Sequence, residues 1–300
     1  MGMEDHMANV IDGRNARRET IPTVIKAAHV RANEILNNPD YAIQAPAFIR
    51  NGDKGVYPLD EVKGDMIEVK RLLDLFESKA TPYEKVTEMF AQVLEAIVLE
   101  QSELGNWLGD GVTTLKTSRF DDIKNGVDML AEWSSGLGES SHILGLAVDV
   151  TFGKFSAEEK LSKIRDEIDR DSLRPIKYFR DAKGSFMGTR FHVPRVIVGI
   201  DQEHLTQLAS LWNARDNKAL AHHPVQKILI TEMLTQSRAM LAYAQSKGSE
   251  KAAQSYAEIV FVLETLSEEK ASIGFGALEQ DAVFRSLLSC TRSIFAADKR

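Results

Sequence analysis

Residues 126–133 read GVDMLAEW and residues 143–152 read ILGLAVDVTF. Side chains on a strand alternate between its faces, so Asp128, Leu130 and Glu132 share one face of the first stretch. Ala147, Asp149 and Thr151 share one face of the second. Nine polar and glycine-rich residues, 134–142, join the two, which predicts an antiparallel hairpin. Folding it symmetrically about Gly138 and Glu139 sets Asp128 opposite Asp149.

Two carboxylates facing each other on adjacent strands repel. Asp149 also sits in the most apolar strand of the chain, where an unpaired charge is costly. A divalent cation with oxygen ligands resolves both problems, and Mg²⁺ typically takes one or two carboxylates plus water and phosphate. The alternatives are an Asp paired with a nearby Lys or Arg, or a hairpin register shifted by its long loop.

The surrounding chain supports a sheet at this point. VTTLKT at 112–117 is short and β-branched, RPIKYF at 174–179 and RVIVGI at 195–200 are further strands, and 156–170 is a helix with Ser156 as N-cap. Helices precede the sheet at 20–37, 59–78 and 82–104, the last opened by Thr81-Pro82 and closed by Gly105. Helices follow it from Asp201 to about Trp212 and over 225–246, 250–270 and 276–296. The fold class is therefore mixed α/β (α+β), a central sheet inside helical wrapping. Three parts are expected: an N-terminal tail and helical extension (1–80), an α/β core (81–214) and a C-terminal helical region (215–300).

On the helix before the sheet, Glu100 falls within the stripe of Val86, Phe90, Val93 and Ile97, whereas Glu95 falls on the far side. Glu100 is thus a candidate third acid, or else an exposed residue at a frayed helix end.

A helix bearing an acid, a strand with Gly-x-Asp (GVD, 126–128), a strand with apolar-apolar-Asp-apolar (AVDVT, 147–151), then a helix and a strand, together resemble the PD-(D/E)XK, restriction-endonuclease-like nuclease core. The resemblance covers roughly residues 82–212. It implies that Asp128 and Asp149 hold Mg²⁺ (or Mn²⁺), with Glu100 assisting, for phosphodiester hydrolysis. It also implies a lysine two residues after the second acid, where this chain has Thr151. Some members of the superfamily supply that cation from the following helix. Lys160 is the first candidate here, Arg165 the second and Lys154 the third.

Other signals are weaker. Asp121 and Asp122 before a strand read as a turn. His222-His223-Pro224 reads as a loop at a helix start. The segment of Lys177, Phe179, Arg180, Lys183, Phe186, Arg190, Phe191 and Arg195 reads as a solvated hairpin tip or a nucleic-acid contact.

Composition sets outer limits. The chain has 300 residues, one cysteine and a formal net charge of -7. The lone thiol supplies no disulfide framework and fits a reducing cytoplasm. No stretch predicts a membrane helix, and the polar N-terminus does not read as a secretory signal. The acidic balance weighs against a polyanion partner but says little about a local cleft. The expectation is a cytoplasmic Mg²⁺-dependent nuclease acting on DNA or RNA, with a homodimer formed through the helical extensions. The competing expectation is a catalytically inactive nuclease fold that binds nucleic acid or protein as a scaffold.

Overall fold

The computed structural model describes residues 21–52, 54–134, 141–148 and 154–296. The nine α-helices found among these are α1 (Thr23–Leu36), α2 (Leu59–Lys79), α3 (Pro82–Leu104), α4 (Lys154–Asp169), α5 (Gln202–Asn213), α6 (Asn217–Ala221), α7 (Val225–Lys247), α8 (Glu250–Glu269) and α9 (Ala282–Ile294). The strands are β1 (Val112–Lys116), β2 (Met129–Ser134), β3 (Ser141–Val148), β4 (Ile176–Arg180), β5 (Met187–Arg190) and β6 (Arg195–Val198). The fold is mixed α/β, as the residue pattern predicts.

Four strands form one sheet in the order β1-β2-β3-β6, and β4 and β5 form a separate hairpin. β1, β2 and β3 are an antiparallel meander, and β6 runs parallel to β3. A parallel neighbour requires a crossover. Here that crossover contains α4 and the β4–β5 hairpin; the residue pattern predicts β4 and the hairpin tip, and the structure adds β5 as its second strand.

The hairpin register differs from the symmetric expectation. Met129 pairs with Leu146 and Trp133 with His142, so each β2 residue faces a partner two positions earlier in β3 than was expected. The reason is the start of β3: it pairs from Ser141, opposite Ser134, rather than from residue 143. A shift of two preserves which face each side chain occupies. The expected partner Asp149, together with Thr151, lies outside the described residues.

Each sheet face has its own packing. Met129, Ala131, Leu144, Val196 and Val198 belong to a large core with α1, α3, α5 and α7. On the other face Ile197 packs with Leu161, Ile164 and Ile168 of α4. Leu115, Leu130 and Ile143 pack with Val127, Ile176 and Tyr178. The large core runs from Ile25 to Phe284, so all three expected parts of the chain contribute to it.

α3 begins as expected, with a reciprocal capping box between Thr81 and Glu84 and Pro82 in its first turn. The helix expected over 276–296 is instead a short 3₁₀ turn, Gly276–Gln280, followed by α9. Asp281 separates them, and its carboxylate accepts the Val283 and Phe284 amides as the N-cap of α9.

β6 lies at the end of the sheet order, and helix side chains complete its outer edge. The Gln236 side-chain amide of α7 accepts from Ile197 N–H at 2.9 Å and donates to Ile197 C=O at 2.6 Å. Glu232 accepts from Gly199 N–H at 3.0 Å. The Tyr256 hydroxyl of α8 donates to Arg195 C=O at 3.0 Å. Gln236 and Tyr256 are fully buried, so water cannot take over these bonds.

Gln236→Leu fits the volume but strands the N–H and C=O of Ile197. It is expected to lower stability by roughly 2–5 kcal/mol. The measurement is urea denaturation followed by circular dichroism, and an unchanged midpoint would refute this account of the edge.

Candidate functional site

Lys116 is the last residue of β1. By register it shares a sheet face with Val112, Thr114 and Met129, the face against α3, where the Thr114 hydroxyl donates to Leu99 C=O. That places an ammonium inside the core: Lys116 is only 4% exposed. Such a charge needs carboxylate partners. Glu95 of α3 is one, at 2.6 Å and itself buried, and Asp122 is a second at 3.7 Å.

Burial alone would pull the Lys116 pKa down, but Glu95, Asp122 and Asp128 outweigh it, and the net shift is upward. Burial pushes the Glu95 carboxyl up, and Lys116 opposes that push. The lysine therefore stays an ammonium throughout the physiological range.

Asp122 and Asp128 are brought here by a local irregularity. Residues Asp121–Asn125 form a single π turn, closed by Gly126 in the left-handed region at φ 65°. Asp121 organises the turn. Its buried carboxylate accepts from Ser118, Asn125, Lys177 N–H and Tyr178 N–H. Asp122, next along, points back to Lys116 and to Arg119 at 3.3 Å. After Gly126, Val127 enters the core and Asp128 emerges half-buried at the head of β2. Its carbonyl accepts from Thr117 N–H at 3.0 Å, which fixes the heads of β1 and β2 together.

The result is a group of Glu95, Lys116, Asp122 and Asp128 at one end of the sheet. Of the four, Lys116 alone lines the adjoining cavity of about 330 Å³, beside Thr117, Arg119 and Phe120.

The other expected residues are placed differently. Glu100 faces α1 and α5, away from this group. Both of its oxygens accept from Arg31 at 2.7 Å, and the Trp212 indole donates to it at 2.6 Å. The buried acid beside the sheet is Glu95, which the single-stripe reading set on the far side. That reading failed because α3 is buried continuously from Val93 to Leu99 and has no solvated face there.

Arg165 is directed between α7 and α9. It donates to the Tyr243 hydroxyl at 2.8 Å and to Ile294 C=O at 3.3 Å. Lys160 is half-buried on α4. The side chain of Lys154, like Asp149, is outside what is described.

A second polar group was not anticipated. Asp201, His204 and Asp281 bring possible ligand atoms within 4.8 Å of one another, the one such group among the described residues. Its oxygens are already engaged. Asp201 accepts from His204 N–H and Asp281 from Asp201 N–H, besides the α9 cap and the His204 ring. This group is a clasp between the starts of α5 and α9.

Comparison of the chain with family models, curated proteins and solved structures gives no match.

Two predictions follow from these environments. Lys116→Met leaves Glu95 buried without its cation and is expected to cost about 3–5 kcal/mol. Adding Glu95→Leu should restore most of that loss, read as a coupling in a double-mutant denaturation cycle. An additive double variant would show that the two groups do not act as a pair.

The second concerns His223, whose Nδ1 accepts from Val225 N–H at 3.2 Å. Burial, aided by the charge of His204, pulls its pKa down from 6.5 to about 4. A depressed histidine favours the folded state above its unfolded pKa, and this contribution is lost as pH falls through the folded value. Stability should thus decline from pH 6.5 towards pH 4, and His223→Gln should flatten that part of the profile. The same slope in the variant would rule His223 out as the source.

Proposed function

We propose that this chain is a cytoplasmic, metal-dependent phosphodiesterase of the PD-(D/E)XK kind, acting on nucleic acid. One observation carries the reading: a buried lysine ammonium held between Glu95 and Asp122, electrostatically coupled to Asp128, at the wall of an open cavity. The order of elements agrees with it. An acid-bearing helix leads into an antiparallel three-strand meander, then a helix, the inserted β4–β5 hairpin and a strand parallel to the third.

The donor set suits a hard divalent ion. Asp122 and Asp128 offer carboxylate oxygens and are only half-buried, so an ion there keeps water ligands. Asp128 would hold Mg²⁺ or Mn²⁺, with Asp149 as the second acid that the resemblance implies. When bound, such an ion polarises a phosphoryl oxygen and acidifies water.

The protein's own contribution centres on Lys116. In the resemblance a cation follows the second acid, and Thr151 cannot supply it. In this reading β1 supplies it instead, ahead of Lys160. The Lys116 ammonium offsets phosphate charge from a fixed, desolvated position. Glu95 holds that ammonium in place, and Arg119 on the cavity rim orients Asp122.

A specific observation also favours the inactive-scaffold reading. Among the described residues, Glu95, Asp122 and Asp128 do not gather three ligand atoms within 4.8 Å. Mg²⁺ sites that rely on one or two carboxylates do not need such a triad, which is why the enzymatic reading is preferred.

The deciding experiment is cleavage of labelled DNA and RNA, single- and double-stranded, with Mg²⁺ or Mn²⁺ and with chelator. Metal-stimulated cleavage is expected, reduced on the order of a hundredfold in Asp128→Asn. Cleavage unchanged in that variant would overturn the assignment. Binding without turnover would establish the scaffold reading in its place.

A further inference from the structure

The cavity beside Lys116 does not end there. A second cavity, of about 650 Å³, adjoins it. Ala42, Ile43 and Gln44 line both, so the two lie along one segment of chain. That segment runs past the outer edge of β1, where Ile43 N–H donates to Lys116 C=O and Lys116 N–H donates to Tyr41 C=O.

The walls are largely apolar, with Val69 and Phe120 in the first cavity and Phe48 and Met187 in the second. Cations mark both: Lys70 and Arg119 in the first, where Asp65 and Asp74 also line the wall, and Lys54 and Arg180 in the second, whose lining holds no carboxylate. Among the described residues, Lys54, Lys70 and Arg180 enter no ion pair.

α2 forms one bank. Its first half is pinned to the hairpin, since Asp65 accepts from the Tyr178 hydroxyl at 2.6 Å and pairs with Lys177 at 2.5 Å. Its second half presents Leu73 and Phe76, 40% and 53% exposed.

Apolar walls with basic margins suit a ligand that has ring faces on one side and phosphates on the other. Unpaired nucleotides offer both at once, whereas a duplex hides its base faces in the stack. We infer that this double cavity is the track for single-stranded nucleic acid, with phosphates on Lys54, Lys70 and Arg180 and bases against the apolar walls. The inference rests on the phosphodiesterase reading for the strand's passage to Lys116, but binding itself is testable without turnover.

The probe is a fluorescein-labelled oligothymidine of about twelve nucleotides, titrated with the full chain in chelator while anisotropy is recorded over a range of salt. The same strand annealed to oligoadenine is the duplex control. The single strand is expected to bind more tightly than the duplex. Lys54→Glu/Arg180→Glu should weaken it at least about tenfold and lower the log–log salt slope by about 1.4, two contacts' worth. Lys251→Glu, on the exposed surface of α8, should change neither reading more than a single distant charge does.

Equal or tighter duplex binding, or a double variant indistinguishable from Lys251→Glu, would overturn the inference. Cleavage run in parallel separates it from the broader reading. Metal-stimulated cleavage untouched by the double variant rejects the track and leaves the nuclease. Variant-sensitive binding with no cleavage supports the track and rejects the nuclease.

Discussion

A lysine ammonium cannot be carried into a protein core unless carboxylates are carried in with it, and the architecture around Lys116 satisfies that constraint. β1 must deliver the lysine to the α3 face, and α3 must present Glu95 at the matching height. The π turn must then fold Asp122 back towards both. Each requirement couples elements that are distant in the chain. The 2.6 Å contact of Lys116 with Glu95 thus fixes the position of helix against sheet as well as their electrostatics. Replacement by apolar residues would do the same for stability alone, so a charged arrangement kept here points to chemistry or to specificity of packing.

The parts of the fold set by local rules were legible in the residues. Thr81-Pro82 with Glu84 marks the start of α3, Gly105 its end, and the β-branched runs at 112, 143 and 195 mark strands of the sheet. Asp128 stands out in the sequence because alternation along 126–133 and a symmetric hairpin set it opposite a second aspartate. What local rules could not supply was the partner of each charge. The partner role of Glu95 is hidden because α3 is buried all round from Val93 to Leu99, a stretch with no polar face to orient a wheel. Lys116 carries no such mark, because a lysine at the end of a strand is usually solvated. A signal was nonetheless present: Val112, Thr114 and Lys116 alternate onto one face, which the register then shows to be internal. The shift in hairpin register had a similar origin, since six further positions between Ser134 and Ser141 have no periodic pattern that would define where pairing begins.

Global charge was a poor guide to the surface. An acidic chain can still present basic margins where its carboxylates are consumed internally. Asp121 is spent on the neutral donors of the π turn and Asp281 on the amides of the α9 cap. Counting those residues as surface charge overstates the repulsion a polyanion would meet near the β1 edge.

The completed edge of β6 has a consequence for the order in which the protein is made. Translation delivers β1, β2, β3 and β6 before it delivers Gln236 and Tyr256, the side chains that occupy the outer hydrogen-bonding groups of β6. A nascent chain whose emerged portion stops short of α7 has every strand of the sheet but an unprotected border of amides and carbonyls. During that interval the growing chain is most open to capture by another strand. The long C-terminal helices thereby act as a built-in guard, closing the border from within the same molecule once synthesis is finished.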